Sequence, residues 1–368
     1  LIGRHAINKP QDINFEHIEH KVILVTGAAG SIGSELCRQL VKYNPSRLLL
    51  LDNNESGLYD IEADLLARHP DVEMTAVLAD ITHEYSLRTV FLEHRPQVIF
   101  HAAAYKHVPM LEQYPAEGLR VNIAGTINLA TLAIEYQVCR FILISTDKAI
   151  NPISVMGASK RLCEELLQSL AQSGNHQTLF ASVRFGNVLG SRGSVVPLFT
   201  RQIEAGGPVT VTHPDMTRYF LSILEAANLV IAAACLTNGG DTFLLKMGES
   251  VRIVDLAERM IRLRGMRPGA DIEIVYTGIR PGEKMSEELY NHDEQIMETA
   301  HPYIVKVKGS AGMQTSDGLV AELRRLVESA PVRGQQALEE MYRFLQLESE
   351  PVHHYNNGHG PQNREPSA

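Results

Sequence analysis

The sequence predicts an α/β protein with a doubly wound parallel sheet and a smaller C-terminal lobe. Short, almost continuous apolar segments alternate with amphipathic helical segments, which is typical of parallel strands covered on both faces. A glycine-rich turn joins the first of these strands to the first helix. After Arg184 the alternation is interrupted by many glycines and prolines, which indicates a second, less regular lobe.

The strands are predicted from runs rich in leucine, isoleucine, valine and phenylalanine that end at turn residues. They are Lys21–Thr26, Arg47–Asp52, Val72–Asp80, Val98–Ala102, Phe141–Ser145, Thr178–Phe185 and Asp241–Met247. Apolar residues at helical spacing predict helices at Ser31–Tyr43, Ser56–Arg68, Glu84–His94, Ala116–Tyr136 and Ser154–Ser173. The apolar run Leu229–Leu236 indicates a buried helix, because it is too short to cross a bilayer. Right-handed crossovers between these strands give a doubly wound sheet.

The composition argues against several classes of protein. A formal net charge of −9 disfavours nucleic acid or an anionic membrane surface as a partner of this chain. The four cysteines have no Cys-x-x-Cys spacing, so we expect neither a disulfide framework nor a zinc site. The histidines near the C-terminus lack a ligand-like framework, and no bound metal is expected.

The turn after the first strand, Thr26–Gly33, has the glycine spacing and the strand–turn–helix context of a dinucleotide-binding site. Gly27 allows a sharp turn, Gly30 allows the backbone to approach a pyrophosphate, and Gly33 allows helix and strand to pack closely. The free N–H groups and the dipole at the helix N-terminus attract the phosphates. The turn therefore predicts a dinucleotide cofactor.

A carboxylate at the end of the second strand indicates which dinucleotide binds. Asp52 lies 19 residues after Gly33, where a carboxylate accepts hydrogen bonds from ribose hydroxyls and repels a 2′-phosphate. We therefore predict NAD rather than NADP; the alternative role for Asp52 is a cap on the next helix. The other expected cofactor contacts lie in the glycine turn and at the ends of strands three and four, at Ser31, Ile32, Asp80, Ile81, Ala102 and Ala103.

The segment Ser145–Lys160 carries the most informative pattern in the chain. A strand ends in Ser-Thr, Asp147 and Lys148 follow, and Lys160 lies four residues after Met156 on one helix face. The segment resembles the active site of the short-chain dehydrogenases/reductases, in which Tyr-x-x-x-Lys follows a strand that ends in Ser or Thr. Methionine stands at the tyrosine position and cannot transfer a proton, so we expect other residues to carry the proton chemistry.

Five stretches together carry a closer resemblance, and they are Leu24–Glu35, Ala102–Pro109, Ser145–Ala149, Arg184–Ser194 and Arg280–Lys284. As a set they resemble the UDP-N-acetylglucosamine 4,6-dehydratases of bacterial polysaccharide and glycan biosynthesis, which are extended short-chain dehydrogenases/reductases. The resemblance is to the long branch, which has methionine at the tyrosine position and membrane-spanning helices before the catalytic part. It implies NAD, UDP-N-acetylglucosamine as substrate, and a location at the cytoplasmic face of the bacterial inner membrane.

The implied reaction oxidises C4 of the sugar, eliminates water across C5 and C6, and returns the hydride to C6. The resemblance implies that Lys148 is the base at C5 and Asp147 the acid at O6. It also implies that Thr146 hydrogen-bonds O4 and that Lys160 hydrogen-bonds the nicotinamide ribose. A free lysine has a pKa of about 10.4 and a free aspartic acid about 3.9, so both groups would begin in the wrong state. We expect burial and nearby positive charge to lower the pKa of Lys148. Asp147, Thr146 and water remain alternatives for deprotonating O4.

The substrate contacts are expected after strand four and in the irregular lobe, at Lys106, Asn187, Ser191, Arg192, Arg252, Arg280 and Glu283. The glycine-rich turn near Arg192 offers backbone N–H groups and charge to a diphosphate. Arg252 and Arg280 are candidate contacts for phosphate or uridine, and Glu283 for the uridine ribose. For Lys106 a structural role is an equal alternative.

The resemblance leaves several alternatives open. Retention at C5 is expected from the long branch, and inversion, 4-epimerisation and an inactive NAD-binding scaffold are the competing interpretations. A homo-oligomer is expected by analogy with the superfamily. The apolar positions Leu162, Leu166, Leu167 and Leu170 would serve either an interface or the core.

The chain divides into a leader, a Rossmann core, a mainly substrate-binding lobe, a helical region and a disordered tail, at residues 1–20, 21–185, 186–310, 311–349 and 350–368. Residues 220–250 are expected to add strands and helices to the Rossmann core. The chain begins at Leu1 rather than methionine, so we expect it to be the soluble catalytic part of a longer protein.

Overall fold

The computed structural model describes residues 13–309 and 318–347. Strands β1 to β15 span Val22–Thr26, Arg47–Asp52, Met74–Leu78, Val98–His101, Arg140–Ile144, Leu179–Arg184, Asn187–Leu189, Val209–Val211, Thr217–Arg218, Phe220–Ser222, Asp241–Leu245, Val251–Arg252, Ile274–Tyr276, Gln295–Glu298 and Ile304–Lys308. The tail predicted for residues 350–368, with its histidines, lies outside the described residues.

Helices α1 to α12 span Ser31–Leu40, Glu55–Arg68, Glu84–His94, Val108–Gln113, Pro115–Gly118, Gly125–Glu135, Val155–Gln172, Val195–Glu204, Ile223–Leu236, Ile253–Leu263, Leu319–Arg333 and Gln335–Phe344. A π-helical turn, Leu119–Ala124, joins α5 to α6. No helix of the described part of the chain is long and apolar enough to cross a membrane.

The large sheet contains nine strands in the order β14-β15-β11-β6-β5-β4-β1-β2-β3. The strands from β11 to β3 are parallel and correspond to the predicted strands, which confirms the doubly wound fold. The sheet is not parallel throughout, however, because β15 runs antiparallel to β11 and to β14. These two strands come from residues that we expected in the smaller lobe. Antiparallel strands need no helical crossover, so the short segment 299–303 joins β14 directly to β15 at the edge of the sheet.

Helices cover both faces of the sheet. α1 and α9 pack together on one face, and α9 contains the predicted buried helix. It begins with a capping box, in which Ser222 and Glu225 each satisfy a backbone N–H of the other. α3, α6 and α7 cover the other face around a second apolar core.

The smaller lobe has its own apolar core. The strand pairs β7–β10, β8–β13 and β9–β12 surround it together with α8 and α10. Phe199, Ile203 and Ile261 are almost completely buried there. The lobe is joined to the Rossmann core at the glycine turn, because the N–H of Arg192 donates to Oγ of Ser31 at 3.0 Å.

The C-terminal helices α11 and α12 pack against α7 and the π-helical turn. Leu162, Leu166 and Leu167 on α7 are buried in the same apolar cluster as Leu323 and Met341 of these helices. Leu170 is partly buried against that cluster. Of the two roles open to the α7 leucines, the structure therefore places them in the core.

Candidate active site

The glycine turn brings β1, α1 and the end of β4 into close contact. Gly27 has a φ of +71°, and a Cβ there would lie 2.6 Å from the backbone nitrogen of Ala103. A Cβ at Gly33 would lie 2.0 Å from the carbonyl oxygen of Gly27. Neither position has room for a side chain. The N-terminus of α1, at Gly30 and Ser31, lines the neighbouring cavity. Such a helix start suits a phosphate group.

Asp52 lies at the carboxyl end of β2 and faces the same region. Its carboxylate accepts the N–H of Ala29 at 2.9 Å and the N–H of Asn54 at 2.9 Å. The helix cap is Asn54, whose side chain accepts the N–H of Gly57. The helix-capping alternative for Asp52 is therefore wrong, and its carboxylate lines a cleft instead.

Two contiguous cavities follow the carboxyl ends of the parallel strands. A cleft of about 260 Å³ is lined by Gly27, Gly30, Asp52, Asp80, Ile81, Ala102 and Ala103, among others. A larger cavity of about 760 Å³ is lined by residues that include Gly27, Gly30, Ser31, Ile32, Gly33, Ala102 and Lys160. Every residue expected to contact the cofactor thus lines one or both cavities. Their position matches the rule that open α/β sheets bind ligands beyond the carboxyl ends of their strands.

The Ser-Thr-Asp-Lys sequence follows β5 directly and forms one wall of the larger cavity. Thr146 is the cap of a single 3₁₀ turn at Asp147–Ala149, and its hydroxyl donates to Oδ1 of Asp147 at 2.9 Å. Thr146 and Lys148 line the cavity, whereas the side chain of Asp147 is completely buried beneath them. Asp147 is thus connected to the cavity through its two neighbours.

Lys148 is held by two carboxylates. Its Nζ lies 3.0 Å from Oδ1 of Asp147 and 3.0 Å from Oε1 of Glu287, and it donates to Oδ1 of Asn187 at 3.3 Å. Burial lowers the pKa of the Lys148 ammonium, but the two carboxylates outweigh burial, and the pKa lies above its ordinary value. Our expectation of a lowered pKa is therefore wrong, because it left out the charges of Asp147 and of Glu287 beside the ammonium.

Both carboxylates have an oxygen without a partner. Oδ2 of Asp147 and Oε2 of Glu287 are buried and accept no hydrogen bond from the described residues. Gly186 approaches the first of these closely, since a Cβ there would lie 2.7 Å from Oδ2 of Asp147. Buried polar atoms are normally hydrogen-bonded, so this pair marks a site of unused hydrogen-bonding capacity beside the cavity.

Met156 and Lys160 lie one turn apart on α7 and both line the cavity. The helix begins at the cap Ser154, whose side chain accepts the N–H of Gly157. Met156 is 5% exposed and packs in the core. Burial lowers the pKa of the Lys160 ammonium. The nearby hydroxyl of Ser145 is taken by Glu164, to which it donates at 2.6 Å.

Four of the expected substrate contacts line the larger cavity, and they are Lys106, Asn187, Ser191 and Arg192. Burial lowers the pKa of Lys106, as expected for an ammonium in a partly enclosed wall. Ser194 is the cap of α8, and its hydroxyl oxygen is buried without a partner among the described residues. The cavity therefore has a second helix N-terminus with a free hydroxyl on its wall.

The other three expected substrate contacts line neither cavity. Arg252 is the cap residue of α10, and its guanidinium donates to Asp255 of the same helix at 3.0 and 2.8 Å. Arg280 is exposed, and its carbonyl accepts the N–H of Glu283 across a turn. The turn packs against α4 and the start of α7, since a Cβ at Gly282 would lie 2.9 Å from Val108. A local ion pair accounts for Arg252 and the surface turn for Arg280, whereas Oε2 of Glu283 is buried without a hydrogen-bond partner among the described residues.

The family model described as polysaccharide biosynthesis protein matches residues 23–309 of this chain. The chain belongs to this family. It is 47% identical over 323 residues to the capsular polysaccharide biosynthesis protein CapD of Staphylococcus aureus, an alignment that covers 88% of this chain and 54% of CapD. It therefore spans about half the length of that relative. An uncharacterized membrane protein of Methanocaldococcus jannaschii is 45% identical, with 80% of this chain and 89% of that protein covered.

Solved structures agree with the family assignment. The chain superimposes on Pen from Bacillus thuringiensis with a TM-score of 0.73 and 31% identity, covering 85% of this chain and 98% of Pen. A UDP-glucose 4-epimerase of Thermus thermophilus in complex with NAD has a TM-score of 0.62 at 24% identity, covering 73% and 90% of the two chains, and shares the fold. The family member described here is thus an extended short-chain dehydrogenase/reductase.

Sequence reasoning missed several residues of the site in this family member. Tyr105, Met110, Tyr114 and Glu117 line the larger cavity. Tyr105 lies inside one of the five matched stretches, but an aromatic residue after a strand carries no distinctive signal. Glu287 was missed because it lies beyond the matched Arg280–Lys284 stretch, and only the fold brings it to Lys148.

Proposed function

We propose that this chain catalyses the NAD-dependent dehydration of UDP-N-acetylglucosamine to the UDP-4-keto-6-deoxy-N-acetyl sugar, with the C5 configuration retained. The observation that carries the proposal is the pairing of Asp147 with Lys148 at the wall of the cavity, 3.0 Å apart. A 4-epimerase has no step that needs this pair, whereas elimination of water across C5 and C6 needs both a base and an acid.

NAD fits the residues around the two cavities. The N-terminus of α1 and the close backbone approach at Gly27 suit a pyrophosphate, and the carboxylate of Asp52 suits ribose hydroxyls. Lys160 lies on the cavity wall where it would contact the nicotinamide ribose. When bound, NAD⁺ supplies the acceptor for the hydride of C4 and returns that hydride to C6. The named epimerase of the same fold was solved with NAD.

The diphosphate of the substrate is expected at the second helix start. Ser194 offers an unpartnered hydroxyl there, and the dipole of α8 favours negative charge. Arg192 adds a guanidinium to the same wall, and Lys106 lines the cavity from the segment between β4 and α4. The sugar would then extend toward Thr146 and Lys148.

Proton transfer at O4 is assigned to Thr146 and Asp147. Thr146 lies on the cavity wall and already donates to Asp147, which is buried beneath it. Thr146 would accept the O4 proton while passing its own proton to Asp147. Asp147 would then hold the proton that the departing O6 hydroxyl requires. Met156, one helical turn before Lys160, serves as an apolar wall.

Lys148 would take the C5 proton from the cavity side, and its ammonium, whose protons exchange with solvent, would later return a proton to the same face of C5. Its side chain is 22% exposed, and it is flanked by Asn187 on the wall that lines the sugar site. One base that removes and returns a proton on a single face retains the configuration at C5.

This chemistry agrees with a role in polysaccharide biosynthesis. We place the protein at the cytoplasmic face of the bacterial inner membrane, as part of a longer protein.

The test is an NMR experiment on the full chain with NAD⁺ and UDP-N-acetylglucosamine in D₂O. We expect a 4-keto-6-deoxy product with deuterium at C5, and its coupling constants report retention or inversion. A product epimerised only at C4 would instead support an epimerase. An unchanged sugar, with NAD bound, would support an inactive scaffold and contradict the proposal.

A further inference from the structure

Glu287 belongs to the segment after the Arg280–Lys284 turn, yet its carboxylate lies beside Lys148. The side chain is 2% exposed, and Oε1 lies 3.0 Å from Nζ of Lys148. This distance equals that from Lys148 to Asp147. Oε2 is buried and has no hydrogen-bond partner among the described residues. The buried carboxylate thus has one oxygen on the ammonium and another that is free to carry a proton.

The smaller lobe holds this segment in place. Arg218 on β9 donates to the carbonyl oxygens of Met285 and Lys284 at 3.1 and 2.8 Å, and its Nε lies 3.6 Å from Oε1 of Glu287. Arg218 is itself only 8% exposed. The segment that carries Glu287 is therefore held at its backbone by the nearly buried side chain of Arg218.

The proton balance of the proposed dehydration leaves one proton without an acceptor. The O4 proton must finally leave with the O6 hydroxyl as water, and Asp147 is assigned to carry it. The C5 proton passes to Lys148, and one proton of the Lys148 ammonium later returns to C5. Lys148 begins as an ammonium, because two carboxylates contact it. It must lose a proton before it can act at C5, and Asp147 is already occupied by the O4 proton.

We propose that Glu287 accepts this proton and so makes Lys148 a base. The inference rests on the proposed function and extends it to a residue outside the matched motifs. The resting cluster is Asp147 carboxylate, Lys148 ammonium and Glu287 carboxylate. Once Asp147 has received the O4 proton, the ammonium proton moves along the 3.0 Å contact to Glu287.

Every proton in the remaining steps then has a donor and an acceptor. Neutral Lys148 removes the C5 proton as the C6–O6 bond breaks. The Thr146 hydroxyl gives its proton to O6 while it takes the proton of Asp147, so that water leaves. When C6 has received the hydride, Lys148 returns its proton to C5. The proton on Glu287 then returns to Lys148, and the cluster is again in its resting state. Glu287 contacts no sugar atom in this scheme and acts through Lys148.

The test is the substitution Glu287→Gln in the full chain with NAD⁺ and UDP-N-acetylglucosamine. The amide has the same shape and keeps an oxygen that accepts a hydrogen bond from Lys148, but it cannot take the proton. We expect kcat for the keto product to fall by about 100-fold or more, with KM nearly unchanged. C4 oxidation precedes the blocked step, so reduced nicotinamide should accumulate, seen by its absorbance. Glu287→Asp should restore part of the lost rate.

The adjacent exposed residue provides the control, because Glu288→Gln removes a carboxylate that pairs with Lys284 and Asn151 at the surface. That variant should behave like wild type. A wild-type rate in Glu287→Gln would overturn the inference, as would equal loss of C4 oxidation and product formation in a variant that melts like wild type. If the wild-type chain neither reduces NAD⁺ nor forms product, the proposed function fails, and the inference fails with it.

Discussion

Two clusters of buried charges in this protein differ in how completely their hydrogen bonds are satisfied. The arginine cluster comprises Glu164 on α7, Arg184 at the end of β6 and Glu294 just before β14. Arg184 donates to both oxygens of Glu164 at 2.8 to 3.1 Å and to Glu294 at 2.8 Å. Ser145 and the N–H of Asn291 supply further donors to the two carboxylates. Every carboxylate oxygen of this cluster therefore accepts a hydrogen bond.

The lysine cluster comprises Asp147, Lys148 and Glu287, at the wall of the cavity. It has the same mixture of buried acids and a base, but each carboxylate keeps one oxygen without a hydrogen-bond partner in the described part of the chain. A buried ion pair is stable when its geometry is good and its remaining hydrogen bonds are made. The difference indicates that the arginine cluster holds three elements together, whereas the lysine cluster retains the capacity to move protons.

The largest expected effect comes from removing the base of the lysine cluster. Lys148→Ala should lower the rate of keto-product formation by about 10²–10⁴-fold, the usual contribution of a general acid or base. The rate is measured by NMR, with the exposed Lys42→Ala as a matched control. A folded Lys148→Ala variant with near wild-type turnover would show that the lysine cluster resembles the arginine cluster in being structural.

The arginine cluster should show the opposite behaviour. Glu164→Gln leaves the buried guanidinium of Arg184 without its main counter-charge, so we expect the free energy of unfolding to fall by about 3–5 kcal/mol. Turnover per folded molecule should stay near that of wild type. Urea denaturation and steady-state kinetics measure the two quantities, and the exposed Glu249→Gln is the control. A stable but inactive Glu164→Gln would break the proposed division of roles.

The two clusters should lose their stabilisation at opposite ends of the pH range. Burial raises the pKa of Glu164, but Arg184 outweighs it, so the pKa lies below the ordinary 4.5. The difference in unfolding free energy between wild type and Glu164→Gln should hold above about pH 4.5 and shrink in more acid solution.

For Lys148 the pKa lies above the ordinary 10.5, as the two carboxylates favour the ammonium. The difference in unfolding free energy between wild type and Lys148→Met should hold below about pH 10.5 and shrink in more alkaline solution. Chemical denaturation across the pH range measures both differences. Parallel pH dependence of the two variants would contradict the assigned charges.

The smallest effect is expected next to the lysine cluster, at the methionine that replaces the superfamily tyrosine. Met156→Leu conserves volume, so it should cost less than about 1.5 kcal/mol of stability and leave turnover near wild type. Thermal melting and steady-state kinetics check this expectation. Loss of turnover in a well-folded Met156→Leu would show that the thioether does more than form an apolar wall.

Segments with a local sequence pattern were predicted well, whereas pairings between single side chains of distant segments were not. The cofactor turn and Thr146 through Lys148 each occupy a few consecutive positions, and the structure places both at the cavities. Arg252 and Arg280 were expected as substrate contacts because of their charge and, for Arg280, its motif. A local ion pair holds Arg252 outside the cavities, and a surface turn holds Arg280 outside them. A single exposed arginine has no pattern that separates a ligand contact from a surface pair.

By itself the sequence determined the doubly wound sheet and the turn at Gly27, because apolar periodicity and glycine spacing act through neighbouring residues. It also determined that Met156 cannot transfer a proton. Only the tertiary structure decided that a hairpin from residues 295–308 joins the sheet antiparallel, and that Glu287 meets Lys148. Both depend on contacts between segments that are far apart in the chain. Whether a buried charge supports the fold or moves a proton depends on the partners that such contacts provide.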